Sequence, residues 1–208
     1  MTVTILDVAG AEAELEALAG ILHDSVLHGA SVNFVQPFPL EAARAYWQRQ
    51  LPSLRDGAAI LFVARRDGMV VGTVMLGLDT PPNQRHRADI KKLLVHSSAR
   101  RRGLARALMQ AAEAEARRRG LTLLTLDTEH GSNAEPLYHA MGYTLLGILP
   151  GYALSADGGT KQPCAFFYKT LEAAARPRSS VAPALGSTAR GPCATIISRS
   201  SPCPPSSC

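Results

Sequence analysis

The run Leu93-Leu94-Val95-His96-Ser97-Ser98-Ala99-Arg100-Arg101-Arg102-Gly103-Leu104-Ala105 constrains this chain more than any other, because an apolar strand leads into a basic, glycine-containing turn that opens a helix. From Gly103 to Arg119, Leu104, Leu108, Ala111 and Ala112 recur at helical spacing, with Arg106, Gln110, Glu113 and Arg117 elsewhere around the wheel. That amphipathic period predicts a helix starting near Arg102. The first backbone N–H groups of such a helix lack intrahelical partners and sit at the positive end of its dipole. A glycine at 103, having no Cβ, lets a phosphate oxygen approach them closely. Arg100, Arg101 and Arg102 add positive charge. The arrangement predicts a phosphate-binding turn.

Composition narrows the function classes. With 208 residues and 46% hydrophobic content, the chain supports one domain with a substantial core. Its longest apolar stretches, 58–64 and 69–78, are strand-length and fall well short of the ~20 residues of a membrane span. The N-terminal segment carries Asp7, Glu12, Glu14 and Glu16 instead of a basic and then apolar leader, which predicts no secretory signal and a cytoplasmic location. The formal charge is +5, but four arginines and no acid in 176–208 leave only +1 for residues 1–175. That tail also holds eight Ser, six Pro and no aromatic residue, too little apolar surface to offset the entropy of ordering. The expected organisation is a folded domain over 1–175 followed by a disordered tail over 176–208. Without aromatic platforms the basic tail does not read as a nucleic-acid-binding element. Cys193, Cys203 and Cys208 lack paired metal-binding spacing and Cys164 lies in a strand-like run, so no disulfide framework and no metal site are expected.

Along the chain, 2–8 reads as a strand, 11–27 as a helix ended by Gly29, and 40–54 as a second helix carrying Tyr46 and Trp47. Two apolar runs, 58–65 and 69–79, flank Asp67-Gly68 and predict a hairpin. Residues 87–96 form the fourth expected strand and 121–126 the fifth, with Asp127 at its end. In the fourth strand the like pairs Lys91-Lys92 and Leu93-Leu94 break the alternation. Either a β-bulge or a doubly buried strand end accounts for that.

The pattern Arg100-x-x-Gly103-x-Ala105, following Val95, resembles the acetyl-CoA pyrophosphate signature of the GNAT superfamily of N-acetyltransferases. Downstream, Asn133-Ala134-Glu135-Pro136-Leu137-Tyr138-His139-Ala140-Met141-Gly142-Tyr143 resembles the second signature of that superfamily. A narrower similarity, to the tabtoxin-resistance acetyltransferase group, is carried by His28-Gly29-Ala30-Ser31-Val32, Leu126-Asp127-Thr128-Glu129-His130-Gly131-Ser132, Leu149-Pro150-Gly151-Tyr152 and Tyr168-Lys169-Thr170-Leu171.

The resemblance implies an α/β (α+β) fold, with a mixed twisted sheet of about seven strands flanked by about four helices. It implies acetyl-CoA as acetyl donor and a small-molecule amine as acceptor: a toxin, an antibiotic or an amino-acid-like metabolite. Protein N-termini or lysines as acceptors, or a non-catalytic acyl-CoA-binding module, remain open, as do monomer and homodimer. The implied cofactor residues are Leu93, Leu94 and Val95 along the pantetheine arm, in a gap between the fourth and fifth strands. Arg100, Arg101, Arg102, Gly103, Leu104, Ala105 and Arg106 would hold the pyrophosphate. Asp89 takes the place of a carboxylate base, and Asp127 stands at the mouth of the gap, to hold an ammonium group or take its proton. Tyr138 aligns with the tyrosine that protonates the leaving thiolate. The plainer alternatives are a solvated turn residue for Asp89, a cap for Asp127 and a packing side chain for Tyr138. Asn133 has two open roles, N-cap or pantetheine ligand. His130 and His139 are weaker candidates for a base.

Overall fold

The computed structural model describes residues 1–30 and 32–172. The domain boundary expected at 175, the tail and its three cysteines lie outside the described residues, as does Ser31. The elements run β1 (Thr2–Leu6), α1 (Val8–Ala13), α2 (Leu15–Leu27), α3 (Leu40–Arg55), β2 (Ala59–Arg66), β3 (Met69–Gly77), β4 (Arg87–Val95), α4 (Leu104–Arg118), β5 (Leu123–Glu129), α5 (Glu135–Ala140), β6 (Thr144–Leu154) and β7 (Lys161–Thr170). The mixed sheet has the order β1-β2-β3-β4-β5-β7-β6. Its neighbours are antiparallel except β4 and β5, which run parallel.

Both faces of the sheet are covered, which is why its middle strands are apolar without strict alternation. In β2, Ile60 and Phe62 pack with Leu108, Leu124 and Phe167 on the α4 face. Leu61 and Val63 pack with Leu22 and Trp47 under α2 and α3. Trp47 is a core anchor, its Nε1 donating to the Leu18 carbonyl at 2.8 Å. The Asp67-Gly68 hairpin forms as expected, with φ of 51° and 82° at its two turn residues, the handedness that suits twisted strands.

Two expectations about elements are corrected. The single helix over 11–27 is two, so the described residues hold five helices where about four were expected. The chain turns at Glu14, φ −99° and ψ 13°, whose carboxylate pairs with Arg65 of β2 at 2.7 Å. The fifth strand starts later and runs further than expected, because pairing with β7 continues to Glu129 opposite Cys164. Asp127 therefore lies inside β5.

The feature that positions the site is the brevity of the β4–β5 pairing, limited to Arg87 with Leu123, Ala88 with Leu124 and Asp89 with Thr125. Beyond Asp89 the strands part. The bulge is present as well: one residue, Val74, separates the β3 partners Thr73 and Met75, whereas two, Lys92 and Leu93, separate their β4 partners Leu94 and Lys91. Lys92 absorbs the extra residue with φ of 51°.

A buried ion pair ties α4 to β7. Lys169 Nζ contacts both Glu113 carboxylate oxygens, at 2.8 and 2.7 Å, and donates to the Met141 carbonyl at 2.7 Å. Arg117 reaches Glu113 at 3.1 Å. Removing one partner strands the other charge, whereas replacing both by apolar groups does not. Lys169→Met is expected to cost about 2 kcal/mol, the Arg117 contact sparing it a larger loss. The corresponding drop in Tm is about 4–8 °C. Adding Glu113→Met should recover most of it in a thermal melt, and a double variant no more stable than the single one would refute this account of the pair.

Candidate active site

Between β4 and α4 lies the turn that the sequence predicts, and it begins with a 3₁₀ turn at Ser97–Ala99. Asp24 of α2 fastens that turn, accepting from the Ser97 N–H at 2.8 Å and the Ser97 hydroxyl at 2.7 Å. Burial pushes the Asp24 carboxyl up, but the Ser97 bonds and the nearby His96 and His28 together hold it below the usual value. Arg101 adopts φ of 63°, and Gly103 at the N-cap of α4 adopts 78°. From Arg101 to Arg106, none of the six successive N–H groups bonds a backbone acceptor among the described residues, and Ala107 is the first to do so, on the Gly103 carbonyl at 3.0 Å. A Cβ built at Gly103 would meet nothing within 4 Å. This is an open, anion-accepting concavity of backbone donors. It fits a diphosphate.

The side chains around it divide. Arg101, Arg102 and Arg106 are exposed, and Ala105 is half-buried. Arg100 is turned back, its Nε donating to the Val95 carbonyl at 3.1 Å and its Nη2 lying 3.9 Å from Asp24. Leu104 and Leu94 are buried in the core, so only their backbone groups are available to a ligand. Leu93 and Val95 are partly buried along the part of β4 that has no β5 partner.

Asp89 and Asp127 meet at a cleft of about 390 Å³, which Lys91, Thr125, Leu146 and Phe166 also line. The two carboxylates differ in freedom. Oδ1 of Asp89 accepts from Arg87 Nη1 at 2.6 Å and from the Thr125 hydroxyl. Arg87 in turn donates to Gln84 at 2.9 Å. Asp89 thus clamps the base of the strand fork, with Oδ1 engaged by a guanidinium and a hydroxyl. Asp127 is exposed and has the Cys164 thiol, 3.7 Å away, as its donor. Burial, then the Asp127 charge, push that thiol up to about 11, so Cys164 stays protonated.

Tyr138 is 5% exposed, packed against Tyr143 and Phe167 with ring centroids 6.0 and 5.8 Å away. Burial, then the negative charge of Asp127, hold its phenol far above the ordinary tyrosine value. The phenol therefore stays protonated. Asn133 is not the N-cap of α5: that place is taken by Ala134, which makes no side-chain cap bond. The Asn133 side chain is exposed. His130 pairs with Glu135 at 3.0 Å, and His139 packs edge-on to Phe167 at 5.1 Å.

Three features of the site escaped sequence reasoning. Asp24 and Ser97 are far apart in the chain, and nothing local announces their contact. Asn33 and Tyr152 join Asp127 and Gln162 around a cavity of about 20 Å³, room for about one water. Lys92 points from the bulge onto Val32 and two aromatic rings. The doubled lysines of β4 marked the bulge but not this use of it.

Comparison with known proteins agrees with this geometry. Residues 24–143 match the acetyltransferase (GNAT) family. An N-acetyltransferase of Azospirillum brasilense from the hisH-hisA intergenic region is 34% identical over 125 residues, which cover 59% of this chain and 73% of that protein. A ribosomal-protein-alanine N-acetyltransferase from Brucella melitensis superposes with a TM-score of 0.67 at 27% identity, over 82% of this chain and all of that one (100%). A phosphinothricin acetyltransferase from Sinorhizobium meliloti, solved in complex with acetyl-CoA, gives 0.70 at 21% identity, over 88% of this chain and 97% of that one. With the family model matched over residues 24–143, more than half of its length, and a forked sheet of the same fold, the chain belongs to the GNAT family of acetyltransferases.

Proposed function

We propose that this acetyltransferase moves the acetyl group of acetyl-CoA to the amine of a small molecule, a toxin, an antibiotic or an amino-acid-like metabolite. The observation that carries the reading is the row of six N–H groups from Arg101 to Arg106 without backbone acceptors, beside the unpaired length of β4. The pyrophosphate of the donor would lie on those amides with Arg101, Arg102 and Arg106 around it, and its pantetheine arm would follow Leu93 to Val95. When bound, the coenzyme supplies an activated acetyl thioester. Asn133, exposed and free of capping duty, stands available to the arm.

On the acceptor side, Asp127 binds the ammonium form of the amine and takes its proton, since it is the more open of the two carboxylates. Asp89 acts through the fork, holding β4 and β5 together at the level of Thr125. Tyr138 gives its proton to the departing thiolate. The support for that role is a burial-raised phenol that stays protonated at any physiological pH. The short runs shared with the tabtoxin-resistance group support a small acceptor. The 27% identity to an enzyme named for ribosomal-protein alanine keeps a protein N-terminus as the second reading.

A screen of amines and of short peptides with free alanyl N-termini, with acetyl-CoA as donor and free thiol as signal, separates these readings. Thiol release with small amines and not with peptides is expected. The reverse result would move the acceptor to protein, and coenzyme binding without turnover on any acceptor would leave a binding module.

Replacing Gly103 by Val puts a branched side chain on a residue with φ of 78° and into the space a phosphate would take. Coenzyme affinity measured by calorimetry should fall more than tenfold, at least about 1.4 kcal/mol. Unchanged affinity in a folded variant would remove the pyrophosphate from this turn. Tyr138→Phe keeps the ring and its packing, so it reports the proton alone. The expected loss is ~10²- to 10⁴-fold, concentrated in kcat, with coenzyme affinity unchanged. Turnover within threefold of the parent, with thiol release shown to be rate-limiting, would make Tyr138 a packing residue.

A further inference from the structure

Lys92 sits at the bulge of β4 with φ of 51°, a conformation that non-glycine residues adopt rarely and only where the surroundings hold them. Its side chain leaves the strand and ends among groups of the segment between α2 and α3. Nζ donates to the Val32 carbonyl at 2.7 Å. It also stands 5.0 Å from the Phe34 ring centroid and 5.2 Å from that of Tyr46 on α3, with the two rings edge to face at 5.3 Å. A cation between two aromatic faces is held by their quadrupoles. The residue next to Val32 is Asn33, itself at φ of 71°, and Asn33 shares the small cavity of Asp127, Tyr152 and Gln162. The other end of the segment is fixed by the Gln36 N–H on the Ala156 carbonyl at 2.7 Å and by His23 on the Phe38 carbonyl at 2.8 Å. The Lys92 ammonium is the tie at the near end, beside the acceptor mouth.

We propose that Lys92 is a positioning residue for the acceptor: its ammonium group pins the Val32–Phe38 segment to β4 and so sets Asn33 beside Asp127 in the acceptor wall. The proposal rests on the acetyl-transfer reading for the word acceptor, and on contacts within the chain for the tie itself. Burial lowers the Lys92 pKa to about 8, an effect the Asp127 charge opposes and the Lys91 charge reinforces. The titratable groups that face it are Asp127 from β5, Lys91 from its own strand and the Tyr46 hydroxyl from α3, whose pKa burial raises to about 12. His23 holds the far end of the same segment. The tie therefore carries its charge below pH 8 and loses it as pH rises through that value.

The test uses the full chain and three proteins: the parent, Lys92→Met and Lys92→Arg. Hydrogen exchange at pH 7 should show the Gln36 amide, the one N–H of the segment bonded to a backbone acceptor among the described residues, exchanging at least tenfold faster in the Met variant, with the arginine variant near the parent and the Arg101–Arg106 turn unaffected. With the best amine from the acceptor screen, the Met variant should raise the acceptor KM about tenfold, leave kcat within threefold and leave coenzyme affinity unchanged. Across pH 7 to 9 the ratio of parent to arginine-variant acceptor KM should rise, because titration of the amine itself affects both proteins alike while the guanidinium at position 92 keeps its charge. Unchanged exchange in a folded Met variant overturns the proposal, and so does a loosened segment with an unchanged acceptor KM. If the Met variant does not fold, the pH dependence of that ratio decides, and a ratio constant from pH 7 to 9 overturns the proposal. Should no amine release thiol with the parent, acetyl transfer fails as a reading and the exchange result still judges the tie.

Discussion

The constraint on which the rest of this structure depends is the parting of two parallel strands. β4 and β5 are paired over only three residues each, and the last pair, Asp89 and Thr125, is locked by side chains, with Arg87 completing the clamp at 2.6 Å. Beyond it, the middle of a sheet acquires two inner edges. Unpaired N–H and C=O groups in such a place cost free energy unless something satisfies them. A peptide-like coenzyme arm is a chemical match for them, and the row of N–H groups from Arg101 to Arg106 without backbone acceptors among the described residues begins just beyond the end of β4. The fork is therefore what the proposed division rests on, with the coenzyme along β4 and the turn after it and the acceptor along β5 and its neighbours.

Backbone strain gathers around the same place. Four described non-glycine residues have positive φ: Asn33, Asp67, Lys92 and Arg101. Asp67 belongs to a hairpin turn whose geometry demands it. The other three flank the acceptor mouth, the bulge and the phosphate turn. Each such conformation costs of order 1 kcal/mol or more and persists only where packing and bonds over-determine it. The holding contacts can be named: the Lys92 ammonium on Val32, and the Asp24 carboxylate on the 3₁₀ turn of Ser97 that precedes Arg101. Both run between elements distant in the chain, from the α2–α3 side of the sheet to the end of β4.

Much of this was readable in the order of residues. A period of 3.6 marked α4, an Asp-Gly pair marked the hairpin, and the like pairs in β4 marked a bulge, because each is a consequence of local geometry. The glycine at 103 was readable for the same reason, although its observed role as a left-handed N-cap is more specific than the open approach expected of it. What could not be read were the places where a distant partner overrode the local pattern. Glu14 breaks a helix that periodicity would continue, and its carboxylate is paired with Arg65. β5 runs past its apolar residues because β7 pairs with it. Arg100 folds back onto the Val95 carbonyl and towards Asp24 of α2 rather than outward.

The sequence by itself determined the element types, the glycine turn that opens α4 and the family, since these depend on side-chain periodicity and on backbone freedom within a few residues. Only the tertiary structure decided how the candidate residues divide their work. Asp89 and Asp127 are the same residue type at comparable places on adjacent strands, yet one is hydrogen-bonded by a guanidinium and a hydroxyl while the other is exposed, with the Cys164 thiol as its hydrogen-bond donor among the described residues. Burial keeps the Tyr138 phenol protonated, and the turn of one bulged residue carries the Lys92 ammonium onto Val32. Charge state and orientation are set by what stands across the gap, and that is a property of the packed chain.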